Sequence, residues 1–503
     1  MNQYKRLAGD TLIYGLGTIV PRLLNYVVLT PFYTNIFTKQ QYGIVSELYS
    51  YVVFLLVILT YGLETGYFRF AKTEKDPRQV FSTIIASLLT TTLLFLGLVS
   101  LFLPDIATLL KYEDQPFYVM LFSVVVSLDA FSAIPFAKLR FQGKSKKFGY
   151  LKIFNVLVNL FFNFIFYVVF PYLQKAYPDS PILILYNPDL YVAYVFISNL
   201  LASVFTLLLL LPEIQVNFRL FDSRLLKRIL KYSIPLLIVG FAGTINEVAD
   251  KMFLKQLIPG KNNALEQIGI YGANYKIGMM MTIFIQMFRY AAEPFYFSKM
   301  KDSDAKITYA RVMRYFLIFC FFIFLFIILY LDIIKYFIDE KFHEGLHIVP
   351  IILLANLFLG IVINLSIWYK LSNRTQYGAM ISLIGAGITI VGNILLIPHL
   401  GYEGSAWTTL ACYTVMMIIS FFFGRKYYPI PYPLRSLLYY ASLVAAIYLL
   451  QYFVNDFDLF FKLLINSLFL FIFVIFVFVH EKITLRDLRK FVFKNGKNEN
   501  SHY

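Results

Sequence analysis

Arg22 stands in the middle of a long apolar stretch, TIVPRLLNYVV, at residues 18–28. If a membrane helix runs from 10 to 34, this guanidinium lies near the bilayer centre, where a charge facing lipid costs several kcal/mol. Either helix end is about 18 Å away, too far for the side chain to snorkel. We therefore expect Arg22 to face the protein interior or water, where a guanidinium binds a phosphate or a carboxylate such as Glu47 or Glu64.

Two more cations interrupt a later apolar segment, 266–298. Arg289 is followed one helical turn later by Glu293, so a local ion pair is one reading and a binding site is the other. Lys276 has no acid at helical spacing in its own segment. It either snorkels towards the outer surface or faces the interior.

Acidic residues also occur within apolar segments. Glu247 and Lys251 have the i, i+4 spacing and order that favour a helical ion pair, which leaves Asp250 without a partner. A carboxylate inside a membrane can bind H+ or Na+, because either ion neutralises its charge. Glu64 and Asp129 are alternative sites of this kind.

The composition indicates the elements that must position these residues. The chain has 503 residues, of which 59% are hydrophobic, 19% are aromatic and 15% are charged. Soluble proteins carry about 25% charged residues. Apolar runs of about 20 residues, the length that spans a bilayer, recur along the whole chain. We count fourteen, which predicts an all-α polytopic membrane protein.

The loops alternate in charge, which tests this count. The terminal segments and every second loop carry most of the 45 Lys and Arg residues, while the opposite loops carry few. Because positive charge gathers in cytoplasmic loops, we expect both termini in the cytoplasm. The same asymmetry explains the net charge of +16 without nucleic-acid binding. We find no nucleotide-binding loop and no metal-ligand spacing, so no cofactor, metal or catalytic residue is predicted.

An internal repeat organises the segments. QYGIVSELY at 41–49 and QIGIYGANY at 267–275 share Gln, Gly, Ile and Tyr at matching places, each at the outer start of the second helix of a half. Six helices per half give both halves the same orientation, which predicts a parallel repeat of two lobes. The predicted units are an N-lobe at 1–211, a cytoplasmic amphipathic linker at 212–231, a C-lobe at 232–424, two further helices at 425–480 and a basic tail at 481–503.

Several stretches resemble one membrane family. They are PFYTNIFTKQQYGIVSELYSY (31–51), YGLETGYFRF (61–70), IGIYGANYKIGMMMTIFIQMFRYAAEPFYF (268–297) and GYEGSAWTTLACYTVM (401–416). They are similar to the polysaccharide biosynthesis (Wzx-like, O-antigen) flippases of the multidrug/oligosaccharidyl-lipid/polysaccharide (MOP) exporter superfamily. The resemblance implies alternating access around a central cavity. It also implies a cargo, undecaprenyl-pyrophosphate-linked oligosaccharide, that moves to the periplasmic leaflet of the bacterial cytoplasmic membrane.

That cargo would give the intramembrane residues separate tasks. The pyrophosphate would meet cations, the sugar would meet polar and aromatic side chains, and H+ or Na+ would couple at a carboxylate. Membrane lipids and a polymerase of the same pathway are the other expected partners. The predicted residues are Arg22, Lys276 and Arg289 for pyrophosphate, then Asp250, Glu247, Glu64 and Asp129 for the ion, and Asn25, Tyr26, Tyr49, Asn246 and Tyr275 for sugar.

Two other functions stay open from the sequence. An ion-coupled multidrug antiporter of the same superfamily should favour acidic and aromatic cavity residues, because its cargo is usually cationic. A membrane-embedded glycan polymerase or ligase should carry a large outside loop, whereas the longest outside loop here, 173–185, has about a dozen residues. The intramembrane cations favour the flippase.

Overall fold

The structure, a computed structural model, describes residues 15, 17–454 and 456–482. These residues form helices, turns and loops, with no strand among them. Twelve of the described helices have the length and apolar composition of membrane spans. Two more complete the set: the first helix, described over 17–36, and the 39-residue helix Lys261–Lys299. The predicted all-α fold of about fourteen membrane helices is confirmed.

We number these helices in chain order. They are α1 (17–36), α2 (Lys39–Thr73), α3 (Pro77–Leu101), α4 (Pro116–Phe141), α5 (Ser145–Ala176), α6 (Ala193–Leu210), α7 (Ser223–Leu257), α8 (Lys261–Lys299), α9 (Ala305–Leu329), α10 (Glu340–Leu371), α11 (Thr375–Leu400), α12 (Tyr402–Tyr427), α13 (Leu434–Tyr452) and α14 (Leu459–His480). The side on which α1 ends and α2 begins is called the outer side below.

The segment predicted as a linker, 212–231, is partly helical. Helix α7 begins inside it at Ser223, where the Asp222 side chain accepts hydrogen bonds from the backbone N–H groups of Arg224 and Leu225. This N-cap fixes the start of a 35-residue helix. Most of the predicted basic tail, 481–503, lies outside the described residues.

Two helices widen into a π turn at equivalent distances from a proline. In α1 the π turn is Asn25–Leu29 and Pro31 follows it, and in α5 it is Ile165–Val169 and Pro171 follows it. Proline has no N–H group, and its ring clashes with the carbonyl one turn back, so a wider turn before it relieves the clash. Neither π turn was predicted from the sequence.

Helix α2 is broken into two arms at Tyr61 and Gly62. Both residues have positive φ, 30° and 73° respectively. A side chain at Gly62 would place its Cβ 2.8 Å from the carbonyl oxygen of Ser233 on α7, so only glycine fits both the backbone and the neighbour. The break redirects the inner arm, Leu63–Thr73, along α7.

The two lobes meet where the repeated motifs lie. Gly43 on α2 faces Gly269 on α8, and a Cβ on either one would clash with a backbone carbonyl of the other helix, that of Leu265 or Lys39 respectively. The two contacts are exchanged copies of each other, as a two-fold axis between repeated units requires. We call this contact between α2 and α8 the outer seam.

The last two helices attach to the C-lobe through α9. The side-chain amides of Gln451 and Asn466 donate to the carbonyls of Ile328 and Leu329, at 3.0 and 2.6 Å. These acceptors lie in the last turn of α9, where helix carbonyls have no partner in their own helix. The pair α13–α14 is therefore bonded to the outer end of the C-lobe.

Candidate functional site

Arg22 lies on the exposed face of α1, one turn before the π turn. It makes no ion pair or hydrogen bond with any residue that the structure describes. The two carboxylates that could have neutralised it have other partners, since Glu47 pairs with Lys255 and Glu64 pairs with Arg140. The guanidinium fork of Arg22 is therefore available for an anion.

Lys276 lies on α8 at the level of the α1 π turn. The hydroxyl of Tyr26 donates to the backbone oxygen of Lys276 at 2.8 Å, so the two helices touch there. Lys276 is half-buried and has no carboxylate partner among the described residues. Arg22, one turn from Tyr26, and Lys276 thus lie on adjacent helices that belong to different lobes.

Two further lysines extend this group. Lys152 on α5 lies close enough to Arg22 for the two charges to repel each other. Lys251 on α7 likewise lies close enough to Lys276 for their charges to repel each other. Lys152 is also attracted by Asp129. We call Arg22, Lys152, Lys251 and Lys276 the cation group.

Arg289 lies apart from the cation group. It is about 20 Å further along α8 than Lys276, towards the inner end, at 1.5 Å per residue. The expected local pair does not form, because Glu293 binds Lys370 on α10 at 2.6 Å. Arg289 is left beside the ring of Tyr290, with its Cζ 5.7 Å from the ring centroid.

The acids of α7 pair differently from the expectation. Lys251 contacts Asp250 at 3.6 Å, and Glu247 is exposed with no ion pair among the described residues. Asp250 is buried, while the Lys251 ammonium lies 5.1 Å from the ring centroid of Tyr275. The i, i+4 rule failed here because tertiary packing turns Asp250 inward and Glu247 outward.

The N-lobe acids are both bonded. Glu64 forms an ion pair with Arg140 near the inner end of α4. Asp129, in the middle of α4, accepts a hydrogen bond from the Ser203 hydroxyl at 2.7 Å and forms no ion pair with a described residue. Of these two, Asp129 keeps more capacity to bind an ion.

Most of the predicted sugar contacts are occupied by the protein. Asn246 is buried and binds Thr389 and Ser382, Tyr26 binds the backbone of α8, and Tyr49 packs on Phe196. Tyr275 is half-buried beside Lys251. The remaining residue is Asn25 in the π turn. Its side-chain oxygen is buried and has no hydrogen-bond partner among the described residues.

An apolar cavity of about 730 Å³ opens between α9, α10, α12 and α13. Its lining includes Leu317, Phe358, Met417, Phe421, Ala441 and Tyr448. The lining is almost entirely apolar, so the cavity suits a hydrocarbon chain rather than a sugar or an ion.

The model of one protein family matches residues 7–301, which is more than half of the chain. The description of that family is "Polysaccharide biosynthesis protein". The chain belongs to this family. The resemblance that the sequence motifs indicated is thereby confirmed. No curated protein sequence matches the chain.

Solved structures show the same fold. A lipid II flippase MurJ in an inward closed conformation aligns with a TM-score of 0.72 and 14% identity, covering 94% of this chain and 99% of its own. An inward-facing multidrug resistance MATE family transporter of the MOP superfamily aligns with a TM-score of 0.60 and 13% identity, covering 85% of this chain and 98% of its own. An outward-facing conformation of such a transporter aligns with a TM-score of 0.58 and 13% identity, covering 85% of this chain and 96% of its own. At these identities the likeness shows the fold.

Two residues of the cation group, Lys152 and Lys251, were not predicted from the sequence. In the sequence, Lys152 lies near the cytoplasmic end of the apolar segment 148–172, which favours a surface anchor, but the helix begins earlier, at Ser145, so Lys152 lies about 10 Å inside it. Lys251 was assigned to Glu247. The sequence signal that could have found Lys152 is Asp129, a lone intramembrane carboxylate that calls for a cation from another helix.

Proposed function

We propose that the chain is a flippase that moves undecaprenyl-pyrophosphate-linked oligosaccharide, an O-antigen, capsule or exopolysaccharide repeat unit, from the cytoplasmic to the periplasmic leaflet. It would do so by alternating access of the two lobes. The protein would reside in the bacterial cytoplasmic membrane with both termini in the cytoplasm, as the loop charges predict.

One observation carries this proposal. Arg22 and Lys276 lie in neighbouring membrane helices of opposite lobes, and neither has a carboxylate partner among the described residues. A cation inside a membrane that the protein does not neutralise marks a site for an anionic ligand. A pyrophosphate carries the charge to satisfy both, and guanidinium suits bidentate contact with phosphate oxygens. Asn25, beside them, would bind the first sugar.

The cargo's tail has a matching surface. A polyprenyl chain is purely apolar and needs an apolar surface while the polar head group crosses the membrane. The apolar cavity beside α13 would hold part of this chain while the head group crosses. This role would give α13, one of the two helices added to the repeat, a function.

The other predicted residues would act in head-group entry or in ion coupling. Arg289, about 20 Å nearer the inner end of α8, would meet the head group on entry. Asp129 and Glu247 hold no ion pair with a described residue, which leaves them as the stronger candidates for H+ or Na+ coupling. Asp250 and Glu64 are already paired with Lys251 and Arg140.

Complementation tests the proposal. The wild type, Arg22→Ala and Arg22→Lys are expressed in bacteria that lack their own glycan flippase, and surface glycan and trapped lipid-linked precursor are measured at equal membrane levels. We expect export by the wild type only, because lysine cannot reproduce the bidentate contact. Arg78→Ala, an exposed arginine at the inner start of α3, is the matched control and should export normally.

Two results would contradict this assignment. Normal export by Arg22→Ala would remove the pyrophosphate contact from α1. Failure of the wild type in hosts with several different repeat units, together with raised tolerance to cationic drugs, would favour the multidrug antiporter. That alternative draws on the acids Asp129 and Glu247 and on the likeness to the transporter fold.

A further inference from the structure

Glu47 and Lys255 form a buried ion pair that joins the lobes. Glu47 lies on α2 and Lys255 near the outer end of α7. Their charged atoms are 2.8 Å apart, and both side chains are completely buried. Among the ion pairs of the described residues, no other has both partners fully buried.

The N-lobe holds the acid from a second side. The hydroxyl of Tyr112, which follows α3, donates to the same carboxylate oxygen of Glu47 at 2.7 Å. The ring of Tyr112 lies beneath the Lys255 ammonium, 3.8 Å from centroid to nitrogen. If the lobes separate, Glu47 keeps Tyr112, while Lys255 loses both the carboxylate and the ring. The second oxygen of Glu47 is buried and has no hydrogen-bond partner by geometry among the described residues.

Weaker contacts surround this pair at the outer surface. Lys261 of the C-lobe binds Asp114 of the N-lobe at 2.7 Å, and Lys39 of the N-lobe binds Glu266 of the C-lobe at 3.4 Å. These side chains are partly exposed, and exposed pairs add little stability. The buried pair differs, because removing one partner leaves an unpaired charge in the protein interior.

We propose that Glu47 and Lys255 act as a latch: the ion pair between them stabilises the conformation in which the outer seam is closed. With both charges present, the closed state is neutral at the latch. With one charge removed, the remaining charge is hydrated only if the lobes part at the outer side, so the open state is favoured. This inference rests on the alternating access proposed above.

The test measures whether the outer seam is open or closed, and it does not measure transport. Ser46 is half-buried at the outer seam against Gly272, so Ser46→Cys serves as a thiol that is partly covered while the seam is closed and becomes accessible when it opens. The native cysteines, Cys320 and Cys412, are buried. A membrane-impermeant maleimide is applied to spheroplasts, and the labelling rate is measured. Asp179→Cys, exposed in the loop before α6, reports that the reagent reaches the outer side.

Glu47→Gln and Lys255→Met should each raise the labelling rate of Ser46→Cys roughly tenfold or more, because each buries an unpaired charge. The double variant Glu47→Gln/Lys255→Met should return to within about twofold of the parent. Lys261→Met, which breaks a partly exposed pair between the same lobes, is the matched control and should change labelling less than about twofold.

Unchanged labelling in both single variants would overturn the latch, and so would a double variant that labels like the singles. If a single variant is not inserted, the charge-swapped pair Glu47→Lys/Lys255→Glu decides instead: it should label like the parent, and open-state labelling would refute the proposal. Since the assay needs no glycan, the latch can fail while the flippase assignment stands. If the flippase assignment were disproved, the labelling rates would still show whether the latch exists.

Discussion

Beside the outer seam, Lys255 on α7 is fully buried and bonded to Glu47 on α2, whereas at the α1–α8 contact Arg22 is exposed and has no carboxylate partner among the described residues. Both regions join the two lobes. Tight packing of glycine against backbone accompanies the first, and a hydrogen bond from Tyr26 accompanies the second. Under the proposed function, the charges that stabilise a conformation are neutralised by the protein, and the charges that bind the cargo are not.

The largest effect should follow from filling the outer seam. Gly43→Ala or Gly269→Ala places a methyl group against a backbone carbonyl that cannot move without separating the helices. We expect the closed form to lose roughly 2 kcal/mol or more, seen as a lower melting temperature in detergent. Gly387→Ala, where a Cβ meets open space, should be neutral or slightly stabilising. Equal melting temperatures for all three variants would show that the seam is loose.

Removing one cation of the group should impair transport without unfolding the protein. Lys276→Gln should lower glycan export roughly tenfold, since a hydrogen bond to a charged group is worth about 1.5–3 kcal/mol. Arg289→Gln, farther along the same helix, should keep export within about threefold of the wild type. The reverse ranking, measured at equal membrane levels, would move the pyrophosphate site to the inner half of α8.

Filling the apolar cavity should have a smaller effect. Ala441→Trp occupies part of the space beside α13 and should slow export a few-fold with an unchanged melting temperature, because the cavity is empty of protein atoms. Ala446→Trp, on the exposed side of the same helix and away from the cavity lining, is the control. Export that is equal in both variants would exclude this cavity as the tail site.

The smallest effect should come from an exposed ion pair. Glu293→Gln releases Lys370, and both side chains are partly exposed, at 41% and 31%. Such pairs contribute about 1 kcal/mol or less, so melting temperature and export should hardly change. A large loss of export would mean that Glu293 has a role beyond pairing with Lys370.

The sequence predicted the helices well because membrane spans follow from apolar length alone. The break at Gly62 and the π turns before Pro31 and Pro171 were not predicted, since they depend on close neighbours. The charge pairings were the weakest part. Sequence spacing suggested Glu293 for Arg289 and Glu247 for Lys251, but Glu293 binds Lys370 on α10, and Lys251 contacts the neighbouring Asp250.

Arg22 illustrates what could be predicted at the site. Its distance from both helix ends already required an interior or wet position, and the structure leaves it without a carboxylate partner among the described residues. Lys152 was harder to assign, because its depth in the membrane depends on where α5 begins. The latch of Glu47 and Lys255 was also out of reach, since no local pattern relates residues so far apart in the chain.

The exchanged contacts of Gly43 and Gly269 also bear on how such a molecule can arise. A two-fold interface needs its surface encoded only once, because each copy supplies the complement of the other. Two separate six-helix chains carrying one such glycine would close the same seam as a homodimer. Fusion of the two copies then frees each half to diverge, so that one helix can keep an arginine where its counterpart carries acids.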